Sequence, residues 1–170
     1  MLAWRITKYN PKNRNEKGHY LIDEWTAYSD IGKNINGKVL TYPEYLTIEN
    51  AYINAISLFM NCNNLTELSV FRLEKYFETT KDLRLDTTAT TLFQRIKKGL
   101  TLNKNEVEAA ARLVLREELW CLLRSVNTMV IRFGFDYYMY IGSTKQCDDV
   151  IKKIQQSRLF VEICDPEYLK

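Results

Sequence analysis

The spacing of hydrophobic positions changes several times along the chain, and each change predicts a secondary-structure element. Leu2, Trp4 and Ile6 alternate with more polar residues, which predicts a half-buried N-terminal strand. A polar stretch bounded by proline and glycine at residues 10–18 predicts a loop. Residues 19–28 then predict a second strand that pairs back on the first.

Helical spacing follows in three places. Thr41 and Glu44 form a capping-box pattern, so a helix is expected from residue 41 to about residue 60. Residues 87–98 predict a short helix, and residues 106–124, which hold no glycine or proline, predict the longest one. On this last helix, charged residues at i, i+4 spacing predict a solvated stripe made of Glu108, Arg112 and Arg116.

The remaining elements are predicted from β-rich runs and turn signals. The Asn36–Gly37 pair predicts a hairpin turn, because both residues tolerate a positive φ angle. Ser143 and Thr144 are expected to cap a last helix. Four further strands are expected at residues 68–76, 128–133, 137–141 and 160–163. This order predicts an α+β fold over residues 1–170, a mostly antiparallel sheet packed against several helices in a single domain.

Composition limits the classes of protein that fit. The chain has 170 residues, 46% of them hydrophobic, and a net charge of +3, which counts against a strongly basic nucleic-acid-binding protein. Arg5 and Lys8 interrupt any apolar N-terminal segment, and the longest apolar run, residues 119–123, is too short to span a membrane. The four cysteines are far apart without a Cys-x-x-Cys pair, so we expect reduced thiols and a cytoplasmic protein.

Few residues suggest catalysis, and the sequence predicts no metal site, no cofactor site and no catalytic residues. The one histidine, His19, is expected in a turn or at the surface. Glu118 is the exception, because a helical projection places it on the apolar face of helix 106–124. Buried there alone, its carboxyl would have a raised pKa and could act as a general acid. The interpretation that the sequence favours is an ion pair with an arginine such as Arg124 or Arg132, or a place near the helix end where the apolar face leaves the core.

Charge and aromatic residues indicate a binding surface instead. Residues 1–18 carry a net +4 and residues 19–67 a net −4. The acidic segment could attract a basic partner, or the two blocks could neutralise each other in space. The aromatic run at residues 137–140 occupies both faces of its strand, and exposed tyrosine favours interfaces. The residues expected to bind a partner are Asp23, Glu24, Trp25, Asp30, Asp136, Tyr137 and Tyr138.

Four stretches together resemble a known group of proteins: KYNPK at 8–12, DEWTAYSDIG at 23–32, LREELWC at 115–121 and FGFDYYMYIG at 133–142. They are similar to small bacterial immunity proteins that are encoded beside C-terminal toxin domains, as in contact-dependent growth inhibition and other polymorphic toxin systems. The resemblance implies a cytoplasmic, non-enzymatic protein that binds one cognate toxin, commonly a nuclease, and blocks its active site or substrate surface. Immunity proteins against basic nucleases are often acidic, and this chain departs from that pattern.

Two other functions stay open at this point. A small hydrolase-like enzyme would use Glu118 within a pocket. An RNA-binding module would stack bases on the tyrosines of residues 137–140, but the cations beside that strand are few, mainly Arg132 and Lys145. Membrane association is not expected, and nucleic acid is not the expected partner.

Overall fold

Helices pack on one face of an antiparallel sheet in this computed structural model, which describes residues 1–82 and 84–170. The helices of that part of the chain are α1 (Tyr42–Cys62), α2 (Thr87–Arg95), α3 (Lys104–Leu115) and α4 (Asp148–Gln155). The strands are β1 (Leu2–Thr7), β2 (Asn34–Ile35), β3 (Lys38–Val39), β4 (Glu67–Lys75), β5 (Thr101–Asn103), β6 (Leu119–Ser125), β7 (Met129–Phe133), β8 (Met139–Ser143) and β9 (Phe160–Ile163).

The main sheet has the strand order β5-β4-β6-β7-β8-β1-β9, and all of its pairings are antiparallel. Strands β2 and β3 form a separate hairpin. The predicted α+β class and single domain are confirmed. No helix in the described residues is long and apolar enough to cross a membrane.

The two faces of the sheet differ because side chains alternate along each strand. On β7, Met129, Ile131 and Phe133 are buried against the helices. Val130 and Arg132 point the other way, towards what we call the open face. A 3₁₀ turn at Pro166–Leu169 covers part of this face. Its Tyr168 ring stacks on Tyr140 with centroids 5.0 Å apart.

Local signals set several boundaries as predicted. The Thr41 side chain accepts a hydrogen bond from the Glu44 amide, and the Glu44 carboxylate accepts one from the Thr41 amide, which completes the capping box of α1. The hairpin turn at Asn36 and Gly37 is confirmed, with φ angles of 51° and 80°. The strands predicted near residues 68–76, 128–133, 137–141 and 160–163 are also confirmed.

The predicted helix over 106–124 is wrong in its second half, since α3 ends at Leu115 and β6 begins at Leu119. The helix closes in a Schellman motif, in which the Glu118 amide donates to the Leu113 carbonyl and the Glu117 amide to the Val114 carbonyl. This motif needs a left-handed residue, and Glu117 takes that place with φ 62°. Because glycine usually marks such a helix end, the sequence carried no visible stop signal.

Two other predicted elements are corrected. Residues 19–28 form no strand. Among the described residues, their only β-type pairing is a single antiparallel bridge between Tyr20 and Arg14. Strand β1 pairs with β8 and β9 instead, so both of its edges are taken. The last helix begins after Cys147 rather than at residues 143–144, because the Ser143 hydroxyl bonds to Lys145 and Asn63.

The cysteine prediction is wrong for one pair. Cys62, at the end of α1, and Cys147, before α4, form a disulfide across 85 residues of sequence. Cys121 and Cys164 are free thiols, and Cys121 is buried in β6 rather than in a helix. The disulfide ties the start of the C-terminal α4–β9 segment to the longest helix of the described chain.

Candidate binding surface

A cleft of about 920 Å³ opens at the end of the sheet where β7 turns into β8. Strand β4 ends and β6 begins at the same place, so side chains from four strands and their connections meet there. We call this cleft the aromatic groove because ten aromatic residues line it: Tyr52, Tyr76, Phe77, Trp120, Phe133, Phe135, Tyr137, Tyr138, Tyr140 and Tyr168.

The β7–β8 hairpin forms one wall of the groove and has a strained tip. The Tyr138 amide donates to the Phe135 carbonyl at 3.0 Å, which closes a turn whose central residues, Asp136 and Tyr137, have φ angles of 52° and 61°. Positive φ at both central positions defines a type I′ turn, which ordinarily uses Asn and Gly. A bulky residue in this conformation costs free energy and persists only where its surroundings hold it.

Tyr137 is held by the core. Its hydroxyl donates to the Leu115 carbonyl and lies 2.8 Å from the Tyr45 hydroxyl, while its carbonyl accepts a hydrogen bond from Tyr52. Only 8% of Tyr137 is exposed, whereas Phe135 on the same turn is 91% exposed. The turn therefore presents one apolar ring to solvent on a backbone anchored from below.

The groove also carries carboxylates that lack a cation. Glu74, Glu117 and Asp136 line it, and none of the three forms an ion pair in the part of the chain that the structure describes. The one arginine in the lining, Arg132, donates to the Tyr168 carbonyl at 2.9 Å. The groove thus combines aromatic walls with an excess of negative charge.

Beside the groove, Lys8 gathers several of the residues predicted to bind a partner. Its ammonium lies 4.0 Å from the centre of the Tyr9 ring and 4.2 Å from that of Trp25, and it pairs with Glu24 at 3.2 Å. The Tyr138 ring packs 5.4 Å from Tyr9, which joins this cluster to the groove. We call Lys8 with Tyr9, Trp25 and Glu24 the Lys8 box.

Burial lowers the pKa of Lys8 to about 8, although Glu24 and, at longer range, Asp30 and Asp136 act to raise it. The side chain is only 3% exposed, so its charge is largely desolvated. The basic N-terminal block and the acidic block after it thus neutralise each other in part, as the second interpretation of the charge pattern predicts.

The other predicted residues take different places. Asp23 is exposed, and Asp30 folds back to accept hydrogen bonds from the Thr26 and Ala27 amides. Tyr137 lies in the core, so it supports the surface from beneath and does not form it. The structure therefore brings Glu24, Trp25, Asp136 and Tyr138 to one side of the molecule and leaves their predicted role in partner binding as a prediction.

Sequence reasoning missed the most exposed ring, Phe135. An apolar residue between Gly134 and Asp136, in a turn between two β-rich runs, was the available signal. The backbone at Gly134 is crowded, because a Cβ there would lie 3.0 Å from the Tyr140 ring and 3.3 Å from the Tyr138 carbonyl oxygen.

A buried ionic cluster behind Trp25 was also missed. Glu49 of α1 is fully buried, and Arg116 binds both of its carboxylate oxygens at 2.7 and 3.0 Å. Arg112 adds a contact at 2.6 Å, and Arg116 reaches Asp82 at 2.8 Å. The predicted solvated stripe is therefore wrong for both arginines, while Glu108 accepts a hydrogen bond from Ser57. We call Glu49, Asp82, Arg112 and Arg116 the Glu49 cluster.

Hydrogen bonding reinforces the charges of this cluster. Burial acts to raise the pKa of Asp82, but hydrogen bonds from Tyr28, Arg84 and Arg116 outweigh it and lower the pKa to about 2. Burial likewise acts to lower the pKa of Arg116, but Glu49 and Asp82 outweigh it and raise the pKa. These ion pairs join α1, α3 and the segment at residues 81–82.

Glu118 is buried, and the suggested pairing with Arg124 or Arg132 is wrong. Its carboxylate accepts hydrogen bonds from the Lys81 and Asp82 amides at 2.7 to 3.1 Å, and neither Arg124 nor Arg132 reaches it. The residue follows α3 rather than lying on it. Its carboxylate holds the segment at residues 81–82 in place, and Glu118 is not among the residues that line the aromatic groove.

No group of three or more His, Cys, Asp or Glu side chains that could hold a metal ion is found among the described residues. Comparisons of the chain with protein-family models, curated proteins and solved structures gave no match.

Proposed function

We propose that this protein is an immunity protein that binds a cognate bacterial toxin domain, of nuclease type, and occludes its active site or substrate surface. The observation that carries the proposal is Phe135, which is 91% exposed at the tip of an anchored turn beside the aromatic groove. The sequence resemblance to immunity proteins supplies the class of partner.

The hairpin has the properties of an energetic anchor in a protein interface. Large aromatic side chains contribute most where they fill a pocket on the partner. The buried Tyr137 fixes the turn before binding, so little conformational entropy is lost when Phe135 is covered. The strain at Asp136 and Tyr137 is consistent with a turn shaped for presentation rather than for stability.

The charge of the groove favours a basic partner. Surfaces that bind phosphate backbones are rich in Lys and Arg, and Glu74, Glu117 and Asp136 offer carboxylates for such side chains. A nuclease domain seated here would have its substrate-binding cations covered. This is occlusion by charge and shape, and it uses no chemistry from the immunity protein.

Co-expression with the toxin encoded beside this protein tests the proposal, because a functional pair should co-purify and protect cells. We expect Phe135→Ala to weaken the complex about 30-fold or more, as hot-spot residues do. Val126→Ala is the matched control, since Val126 is 74% exposed in the β6–β7 turn at the opposite end of β7.

The proposal fails if the neighbouring toxin and this protein do not associate, or if both variants protect cells equally well. Thermal unfolding of both variants must match the parent protein, because neither side chain supports the core. The hydrolase alternative has no comparable support, since the Glu118 carboxylate accepts hydrogen bonds from the Lys81 and Asp82 amides and does not line the aromatic groove.

We also propose the cytoplasm as the compartment, following the resemblance. The Cys62–Cys147 bond bears on this, because cytoplasmic proteins rarely hold disulfides. Trapping the thiols with an alkylating agent during denaturing lysis of living cells decides the matter. Four alkylated cysteines would agree with the cytoplasm, and two would contradict it.

A further inference from the structure

A bulge in β4 builds a second surface feature on the open face, away from the β7–β8 hairpin. The register with β6 shifts between Val70 and Arg72, so Phe71 is an extra residue in the strand. The Arg124 guanidinium lies 3.4 Å from the centre of the Phe71 ring, and Arg72 lies 5.8 Å from it. The bulge therefore places one aromatic ring between two arginines.

More cations and two hydroxyls border this ring. The Gly99 amide donates to the Val70 carbonyl at 2.8 Å, which brings the exposed Lys97 and Lys98 beside the bulge. The hydroxyls of Ser69 and Thr101 lie 3.4 Å apart on paired strands. We call this set the Phe71 patch: Ser69, Phe71, Arg72, Lys97, Lys98, Thr101 and Arg124.

The charges of the Phe71 patch are unmatched. None of its four cations forms an ion pair with any described residue. The acidic side chains on the same face, Glu67 and Glu74, lie on β4 beyond Ser69 and Arg72 and leave the centre positive. An anionic partner with several regularly spaced charges fits this arrangement better than a single ion.

We propose that the Phe71 patch binds single-stranded nucleic acid. The four cations contact successive phosphates, the hydroxyls of Ser69 and Thr101 donate to phosphate or sugar oxygens, and an unpaired base stacks against Phe71. Strands without base pairs are favoured because the ring needs an exposed base face. This inference is independent of the proposed function, whose groove lies at the other end of β4.

The test measures fluorescence anisotropy of a labelled 20-nucleotide single-stranded RNA over a range of salt concentrations. Four phosphate contacts predict that log K falls against log salt with a slope of about −3. The double variant R72E/R124E should bind about tenfold more weakly or worse. The control K152E/K153E makes the same change in net charge on α4, on the helical side of the sheet, and should bind like the parent protein.

A second variant separates stacking from charge. Phe71→Ala should weaken binding about fivefold or more and leave the salt slope unchanged, because base stacking does not release counterions. The inference is overturned if the RNA does not bind at low salt, if both double variants lose affinity equally, or if polyglutamate of the same length competes as well as RNA does. Binding of the toxin by R72E/R124E reports separately on the proposed function.

Discussion

Two regions of the molecule bury charge beside aromatic rings, and they do so in opposite ways. The Glu49 cluster matches one fully buried carboxylate with two arginines, and a second carboxylate binds the free side of Arg116. The Lys8 box surrounds one ammonium with two rings and a single, partly exposed carboxylate. The Trp25 ring lies between them, 5.7 Å from Tyr45, whose hydroxyl bonds to Glu49.

The two regions differ in how completely hydrogen bonds and opposite charges offset the free-energy cost of burying a charged group. In the Glu49 cluster, hydrogen bonds and opposite charges outweigh burial, so the pKa of Asp82 is lowered and that of Arg116 is raised. In the Lys8 box, burial outweighs its partners, and the pKa of Lys8 falls to about 8. The Glu49 cluster joins α1 and α3 through ion pairs. In the Lys8 box, Glu24 binds an ammonium whose pKa is about 8.

Removing the central carboxylate should produce the largest effect. Glu49→Gln leaves Arg112 without its close partner and Arg116 with Asp82 alone, so we expect the free energy of unfolding to fall by about 3 kcal/mol or more. Urea denaturation at pH 7 measures the loss.

Glu108→Gln is the matched control for this change. Glu108 is partly exposed on α3 and accepts a single hydrogen bond from Ser57, so its loss should be about 1 kcal/mol. Equal losses of unfolding free energy in the two variants would contradict the claim that the ion pairs of Glu49 stabilise the packing of α1 against α3.

Lys8 should give the chain an unusual dependence of stability on pH. The folded protein releases the Lys8 proton near pH 8, whereas the unfolded chain holds it to about 10.5. Between these values the unfolded state binds more protons, so this group makes the free energy of unfolding rise with pH. We expect a rise of about 1 to 2 kcal/mol between pH 8 and pH 9.5, relative to Lys8→Met, which lacks the titrating group.

Parallel slopes for the parent protein and Lys8→Met would contradict this reasoning. The variant is also informative at pH 7, where the buried charge is present. Because Met keeps the apolar contacts with Tyr9 and Trp25 and removes the desolvation cost, its stability should equal or exceed that of the parent.

Features set by neighbouring residues were predictable from the sequence. The Thr41–Glu44 capping box, the Asn36–Gly37 turn and the alternating N-terminal strand depend on contacts within a few positions, and all three formed. The end of α3 was not predictable, since Glu117 occupies a left-handed position that the pattern gave no reason to expect. The run after it alternates weakly enough to fit either a helix or a strand.

The charged regions depend on pairings across the chain, so local patterns could not place them. Glu49 meets Arg112 and Arg116 from 63 and 67 positions away, and spacing alone made those arginines look solvated. Cys62 and Cys147 meet across 85 positions. A polar residue on an otherwise apolar helix stripe, four positions after Tyr45, was the visible sign that Glu49 needed a buried partner.

The smallest expected effect concerns the carboxylates that face Lys8. Glu24→Gln removes the direct partner at 3.2 Å, and Asp136→Asn removes a more distant charge while keeping a residue that tolerates positive φ. Both should lower the pKa of Lys8 further, Glu24→Gln by more, because each carboxylate favours the charged ammonium. NMR titration of the Lys8 side chain measures both values. If Asp136→Asn shifts the pKa as much as Glu24→Gln does, the pKa of Lys8 is set by the summed field of the surrounding carboxylates. In that case Glu24 is not a specific ion-pair partner of Lys8.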